Sequence, residues 1–352
     1  MALVFIDGFD HYSQADILKK WTGLTGSAVG TTATLDIRPE FARPPGGMGL
    51  FLAQGAVYRG VFKTFAATHT SFVAGFNVFF LNVATVSPFI AFYDSSSGAP
   101  AGTCQVGLRM DGTGHLQVVT GATTVLTTST NTLSASTWYH IEVSMTINNS
   151  TGSYEVKVNG SSVGWIPATA SKNTRGQSAN NYIDIAALVY VSVGAYFDDF
   201  YFLSSSAPNN TFVGPQKVLA AFPSGVGNYA QWTGNYAANY ANVNELAGDG
   251  DQTFNQSATV AQVDSFIFDD MPAGTITAVQ FAMEARQDAG AARTVAMIER
   301  AAAGPTDNAL TSFILAGSYL YYLDPHDVDP DTTSAWTVAL FNSNEYGVKL
   351  IS

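Results

Sequence analysis

Four aromatic residues, Tyr229, Trp232, Tyr236 and Tyr240, punctuate an Asn- and Gly-rich segment, and exposed rings of this kind stack against sugar faces. Spacings of three and four fit equally well one face of a short helix or the core anchors of an irregular strand, so a glycan or partner contact and plain core packing both stay open. Two acidic loops have oxygens spaced for a hard cation. Asp324-Pro325-His326-Asp327-Val328-Asp329-Pro330-Asp331 carries oxygens at alternate positions, although Thr332 stands where an EF-hand loop has Gly and Val338 where it has the bidentate Glu. Gly248-Asp249-Gly250-Asp251 is shorter, and a solvated turn rich in Asp explains either loop without a metal. No cofactor is expected, with Ca2+ the one ion kept open.

Hydrolysis of a glycosidic bond with retention needs two carboxyl groups about 5 Å apart on one face. Asp198-Asp199 and Asp269-Asp270 are adjacent pairs, and neighbouring residues of a regular strand point to opposite faces. Glu142, Glu155, Glu284 and Glu299 stand alone among neutral residues. His11, His69, His115, His140 and His326 share no ligand spacing, and there is no Gly-x-Ser-x-Gly elbow. Gly46-Gly47-Met48-Gly49 follows Pro44-Pro45 rather than a strand and lacks the Lys-Ser/Thr end of a phosphate loop. Together these absences predict no catalytic residues and no enzyme activity.

The elements that must carry these residues are strands. Tyr139, Ile141, Val143, Met145 and Ile147 alternate with His140, Glu142 and Ser144, the period of a half-buried strand. Tyr154, Val156 and Val158 repeat the pattern, and Asn159-Gly160 supplies the two positive-φ positions of a type I′ hairpin turn. Further strands are readable at Ser71 to Val83, Phe89 to Tyr93, Gln105 to Met110, His115 to Val119 and Tyr196 to Leu203. Helix is expected only over Gln14 to Trp21, behind Ser13 as N-cap. The Ala-rich stretch Thr277 to Ala303 alternates rather than repeating at helical spacing, and it reads as two antiparallel strands joined at Asp288 to Ala291.

A chain of 352 residues is long enough for two cores. The breaker-rich run from Ser204 to Asn210 marks the division: residues 1–205 form the first domain, 206–214 a linker and 215–352 the second. With 47% hydrophobic and only 12% charged residues the chain is folded rather than disordered. Its net charge of −12 provides no basic stripe for phosphates, which argues against nucleic acid. Cys104 is the single cysteine, so an internal disulfide framework is excluded and a buried core position is expected. The apolar opening stops at Asp7 without a basic leader, and Ile183 to Phe197 falls short of the roughly 18 residues of a membrane span, so neither secretion nor membrane insertion is expected.

Three segments taken in order resemble the concanavalin A-like or laminin-G-like jelly roll: Thr137-Trp138-Tyr139-His140-Ile141-Glu142-Val143, Tyr154-Glu155-Val156-Lys157-Val158-Asn159-Gly160, and Tyr196-Phe197-Asp198-Asp199-Phe200-Tyr201-Phe202. The opening Phe5-Ile6-Asp7-Gly8-Phe9-Asp10-His11-Tyr12 is similar to the start of a group of tailed-phage virion proteins. Trp232, Tyr240-Ala241-Asn242-Val243-Asn244-Glu245, Gly248 to Phe254, Arg286 to Gly290 and Glu345 to Lys349 resemble their C-terminal β-domain. The resemblance implies an all-β fold, a jelly-roll sandwich followed by a smaller β-domain. It implies a structural role on the virion, as a tail, fibre-associated or capsid-decorating protein made in the host cytoplasm and docked on other virion proteins. Virion symmetry then favours a homo-oligomer, a trimer first. The alternative reading is a carbohydrate-binding module that recognises host surface glycans.

Overall fold

The computed structural model describes residues 2–25, 35–44, 46–53, 59–95, 104–121, 123–176, 178–190, 194–288, 290–302 and 307–352. About 54% of the chain is strand and 7% helix, as the alternation predicts, and the strands pair antiparallel throughout. Two compact units form, one from Met1–Asp10 with Trp21–Val218, the other from His11–Lys20 with Leu219–Ser352.

The first unit is a jelly-roll sandwich of two antiparallel sheets. One sheet has eight strands, running Ser161–Lys172, Gly152–Val158, Trp138–Thr146, Ser71–Phe80, Gly194–Ser204, Gly49–Ala53 and Leu35–Arg38, with Leu3–Asp7 also paired to Gly194–Ser204. The other runs Thr124–Thr132, His115–Thr120, Cys104–Asp111, Val86–Tyr93, Ile183–Tyr190, Arg59–His69 and Gly23–Thr25. Their facing sides hold the core, in which Phe72, Phe76, Phe80, Phe89, Phe92 and Phe197 are fully buried. Burial of such rings, at about 25 cal/mol per Å² of apolar surface, drives the two sheets together. Trp21 is buried against Phe5, Phe9 and Phe200, and its indole N–H donates to Asp7 at 2.6 Å. Asn159 and Gly160 take φ of 50° and 82°, and Val158 pairs with Ser161, the two-residue turn expected from their types. Cys104 is half-buried, and burial pushes its thiol up to about 12.

The second unit has a five-stranded sheet, Pro223–Ala230, Val263–Phe268, Glu345–Leu350, Thr294–Arg300 and Asp307–Ile314. Val279–Ala285 pairs separately with Leu320–His326. The expected hairpin over Thr277 to Ala303 is therefore half right. Both strands exist, but they lie in different sheets: Val279–Ala285 is paired with Leu320–His326, whereas Thr294–Arg300 lies between Asp307–Ile314 and Glu345–Leu350. Val295, Leu315 and Leu350 form one core cluster with Trp232 and Tyr322, and Trp336, Phe341 and Tyr346 a second with Phe268 and Phe281.

The helix expected over Gln14 to Trp21 is shorter, a 3-10 turn Gln14–Asp16 and one α turn Ile17–Lys20. Ser13 is at the N-cap, but its hydroxyl donates to the Asp16 carboxylate at 2.6 Å instead of accepting a backbone N–H. Ile17 and Lys20 are buried, and Lys19 bridges Asp16 and Glu284 at 2.7 and 2.6 Å, which assigns this early segment to the second unit. Residues 206–214, read from composition as a linker, belong to the first unit, whose last residue is Val218.

Candidate functional site

The outer face of the eight-stranded sheet is organised in rows, because residues paired across antiparallel strands point the same way. In one row Trp138 pairs with Phe79, Phe79 with Tyr196, and Tyr196 with Phe51. Centroids are 5.6 Å apart for Trp138 and Phe79, and 5.3 Å for Phe79 and Tyr196 and for Tyr196 and Phe51. Phe41, from the 3-10 turn Pro39–Phe41, stacks on Tyr196 at 4.9 Å. All five rings are half-buried. Tyr196 is stacked on both Phe79 and Phe41, whereas Trp138 ends the row with Phe79 as its ring neighbour. Sequence reasoning used Trp138 and Tyr196 only as fold markers. The signal for more was their phase: Trp138 shares the polar phase of its strand with His140 and Glu142, as Phe79 does with Asn77.

The next rows are polar and buried. His140 pairs with Asn77 and Asn77 with Asp198, while Glu142 and Tyr201 both pair with Gly75. A Cβ at Gly75 would collide with the Tyr201 ring, so glycine there lets Tyr201 lie across the strand and donate to Glu142 Oε1 at 2.7 Å. Register slips between Asp198 and Tyr201, and Asp199 takes φ 54°. This irregularity overturns the expectation that Asp198 and Asp199 point to opposite faces. Both are buried and both bind Arg43, Asp198 through the backbone N–H at 2.7 Å and Asp199 through Nε at 2.8 Å. Glu142 does not stand alone either: its second oxygen is 3.9 Å from His140 Nε2.

Electrostatics follow burial. Burial and the neighbouring Asp199 push Asp198 up to about 8, and burial raises Asp199 against the pull of Arg43. Asp10 is pushed up to about 6 by burial, opposed by the Met48 N–H that it accepts at 2.5 Å. His140 falls to about 4 through burial and the charge of Arg43, so its ring is neutral at pH 7. Burial and Glu142 raise the Tyr201 hydroxyl well above its ordinary value. The face thus combines an aromatic row, a neutral imidazole, a phenol and several carboxyl groups.

The chain that leaves the closing strand crosses these polar rows. Val213 and Gly214 donate to Glu142 Oε1 at 2.9 and 3.0 Å, and Val218 donates to Asp199 Oδ1 at 2.7 Å. The Gln216 carbonyl accepts from Arg43 at 2.9 Å and from Asn77 at 3.4 Å.

In the second unit the four aromatics of the Asn-rich segment have different surroundings. Trp232 packs on the cluster of Val295, Leu315 and Leu350 and donates its indole N–H to Gln262 at 3.2 Å. Tyr229 is half-buried, donates to Asp307 at 2.9 Å and lies under the Arg300 guanidinium. Tyr240 is half-buried, and Tyr236 is 84% exposed. In the acidic loop, Asp324 accepts from the N–H and hydroxyl of Thr311, and Asp329 Oδ2 from the N–H and hydroxyl of Thr332. Asp249 likewise caps Thr253. Among the described residues no group of three or more His, Cys, Asp or Glu is arranged around a metal position. Glu299, expected to be isolated, is fully buried near Asp329, and burial with that neighbour raises it to about 8. Glu284 likewise has a partner, Lys19.

No family model matches the chain, and no curated protein matches it. Several solved structures are similar. The PL-14 alginate lyase from Aplysia kurodai shares 12% identity at a TM-score of 0.43, over 58% of this chain and all of that one. A GH131 β-glucanase catalytic domain from Podospora anserina shares 16% at 0.38, over 59% and 98%. A galectin-like protein from Bacillus subtilis shares 9% at 0.38, over 58% and 96%. Identities this low bear on the fold alone, and none of the three is described as a phage protein. The expectation of a protein without enzyme activity does not stand. Its main premise, carboxylates on opposite faces, is removed by the bulge at Asp199, which brings Asp198 and Asp199 together onto Arg43.

Proposed function

We propose that the first unit is a carbohydrate-binding module whose contact surface is the aromatic row ending in Trp138. The carrying observation is five half-buried rings side by side on the phase of the sheet where amphipathic strands place polar chains. Sugar rings offer C–H faces to aromatic surfaces and hydroxyls to polar neighbours, which matches a ring row bordered by His140 and Asn77. Trp138, at the end of the row, supplies the stacking face. The acidic rows beneath and the net charge of −12 favour neutral glycans over polyanionic ones. Trp138→Ala is expected to weaken binding to the best ligand of a glycan array at least about tenfold, or ~1.4 kcal/mol. The far-ultraviolet circular dichroism should be unchanged. Undiminished binding by a folded Trp138→Ala protein would remove the row from the site.

The resemblance to tailed-phage virion proteins, carried by the ordered motifs from Phe5 to Lys349, supports placing this module on a particle, as an oligomeric component docked on other virion proteins. Glycan binding there would serve adsorption to the host. Negative-stain images of particles labelled with an antibody to this chain test the placement, with label expected at a fixed position on head or tail. Particles without label overturn it.

A further inference from the structure

We infer that residues 212–218 are an intramolecular occupant of the glycan-binding face, a strap whose backbone fills the polar half of the site. The inference rests on the sheet-face reading above and adds the residues that read sugar hydroxyls, His140, Glu142 and Tyr201.

The strap is bound the way a glycan would be. Its hydrogen bonds to the face use backbone groups: the N–H groups of Val213, Gly214 and Val218 go to carboxylates, and the Gln216 carbonyl accepts from Arg43 and Asn77, while the Gly214 carbonyl lies 3.4 Å from the Tyr201 hydroxyl, whose proton goes to Glu142. An alternation of donors and acceptors along a chain is what a run of hydroxyl groups also offers. The side chains of the strap make surface contacts: Lys157 Nζ lies 4.2 Å from the Phe212 ring centroid, and Lys217 Nζ donates to the Gly46 carbonyl at 3.2 Å. None of residues 212–218 is buried, whereas Asn77, His140, Glu142, Asp199 and Tyr201 beneath them are between 0% and 4% exposed. A segment held by backbone hydrogen bonds without a buried apolar anchor is among the first to open.

The fit is also incomplete. His140 Nδ1 and Glu142 Oε2 are buried without a hydrogen-bond partner, although both side chains face the strap-covered rows. A buried polar group left unpaired is costly, so these atoms point to a ligand richer in hydroxyls than the strap. Imidazole, carboxyl and phenol in one buried cluster beside an aromatic row are groups that suit the hydroxyls of a neutral oligosaccharide. A cis occupant lowers apparent affinity by the fraction of molecules in which the strap is closed, so loosening it raises affinity.

Gly214 offers a local way to loosen the strap. Its φ is 79°, a conformation that suits glycine, and a Cβ there would meet nothing within 4 Å, so Gly214→Val strains the strap through its backbone. In the full chain, the amides of 212–214 and 216–218 of this variant are expected to exchange roughly tenfold faster than in the parent, while those of 139–145 stay protected. On an array of neutral and uronic-acid oligosaccharides the same neutral ligands should bind roughly tenfold tighter. If Gly214→Val does not fold, Val218→Pro removes the donor to Asp199, fixes φ at that residue and is expected to act in the same direction. Strap amides that exchange faster without a gain in affinity, or binding confined to uronic acids, overturn the inference, as does a strap whose exchange neither variant changes. Parent protein that binds through Trp138 with no change in the loosened variant strikes the strap alone. If neither protein binds any glycan, the sheet-face reading falls with it.

Discussion

Asp199→Ala is expected to cost the first unit about 3 kcal/mol or more, because one substitution strips partners from three groups at once. Arg43 Nε loses its carboxylate, Asn77 Nδ2 loses an acceptor at 2.8 Å, and the Val218 N–H loses its acceptor. Urea unfolding of the full chain, followed by a probe in the sandwich, measures it. A loss below about 1 kcal/mol would mean that the bulge is held by something other than these bonds.

The same cluster sets a pH dependence. Asp198 and Asp10 titrate at about 8 and about 6 when folded, against 3.8 when free. A carboxyl raised in the fold binds its proton more tightly there, so its stabilisation is complete below about pH 4 and is lost as pH rises through the folded value. His140, lowered to about 4 from 6.5, acts oppositely and adds stability as pH rises across that interval. Above pH 6.5 the histidine has no further effect. The melting temperature is therefore expected to fall from pH 6.5 to pH 8, and Asp198→Asn should flatten the fall. Glu299 works in the same direction in the second unit, so the difference between parent and Asp198→Asn is the quantity to read. Parallel curves for the two proteins would remove Asp198 as the source.

The second large effect separates two aromatics that the sequence left together. Trp232→Ala is expected to destabilise the second unit by about 3 kcal/mol, since it empties space beside Val295, Leu315 and Leu350 and removes the indole bond to the Gln262 carbonyl. Tyr236→Ala, at a ring 84% exposed, should leave stability within about 0.5 kcal/mol. Its loop is pinned on either side, by Asn235 accepting from Phe254 N–H and by Ala237 N–H donating to buried Asn242, so the backbone does not depend on the ring. Thermal unfolding of the two variants settles the roles. Equal effects would contradict the packing of Trp232.

What the sequence determined by itself is whatever depends on neighbours along the chain. Alternation from Tyr139 to Ile147 and from Tyr154 to Val158 placed those strands, and Asn159-Gly160 determined its turn, because period and positive φ are properties of residue types in order. Tertiary structure decided the pairing of Val279–Ala285 with Leu320–His326 and the assignment of His11–Lys20 to the second unit. Neither has a local signature, since each depends on apolar faces that meet only after collapse. The candidate site belongs to the same class. Phe79, Trp138 and Tyr196 come from three distant strands and become a row only through register. Asp198 and Asp199 share a buried cluster because long-range bonds from Arg43 and Val218 hold Asp199 in a left-handed conformation that an aspartate seldom takes unaided.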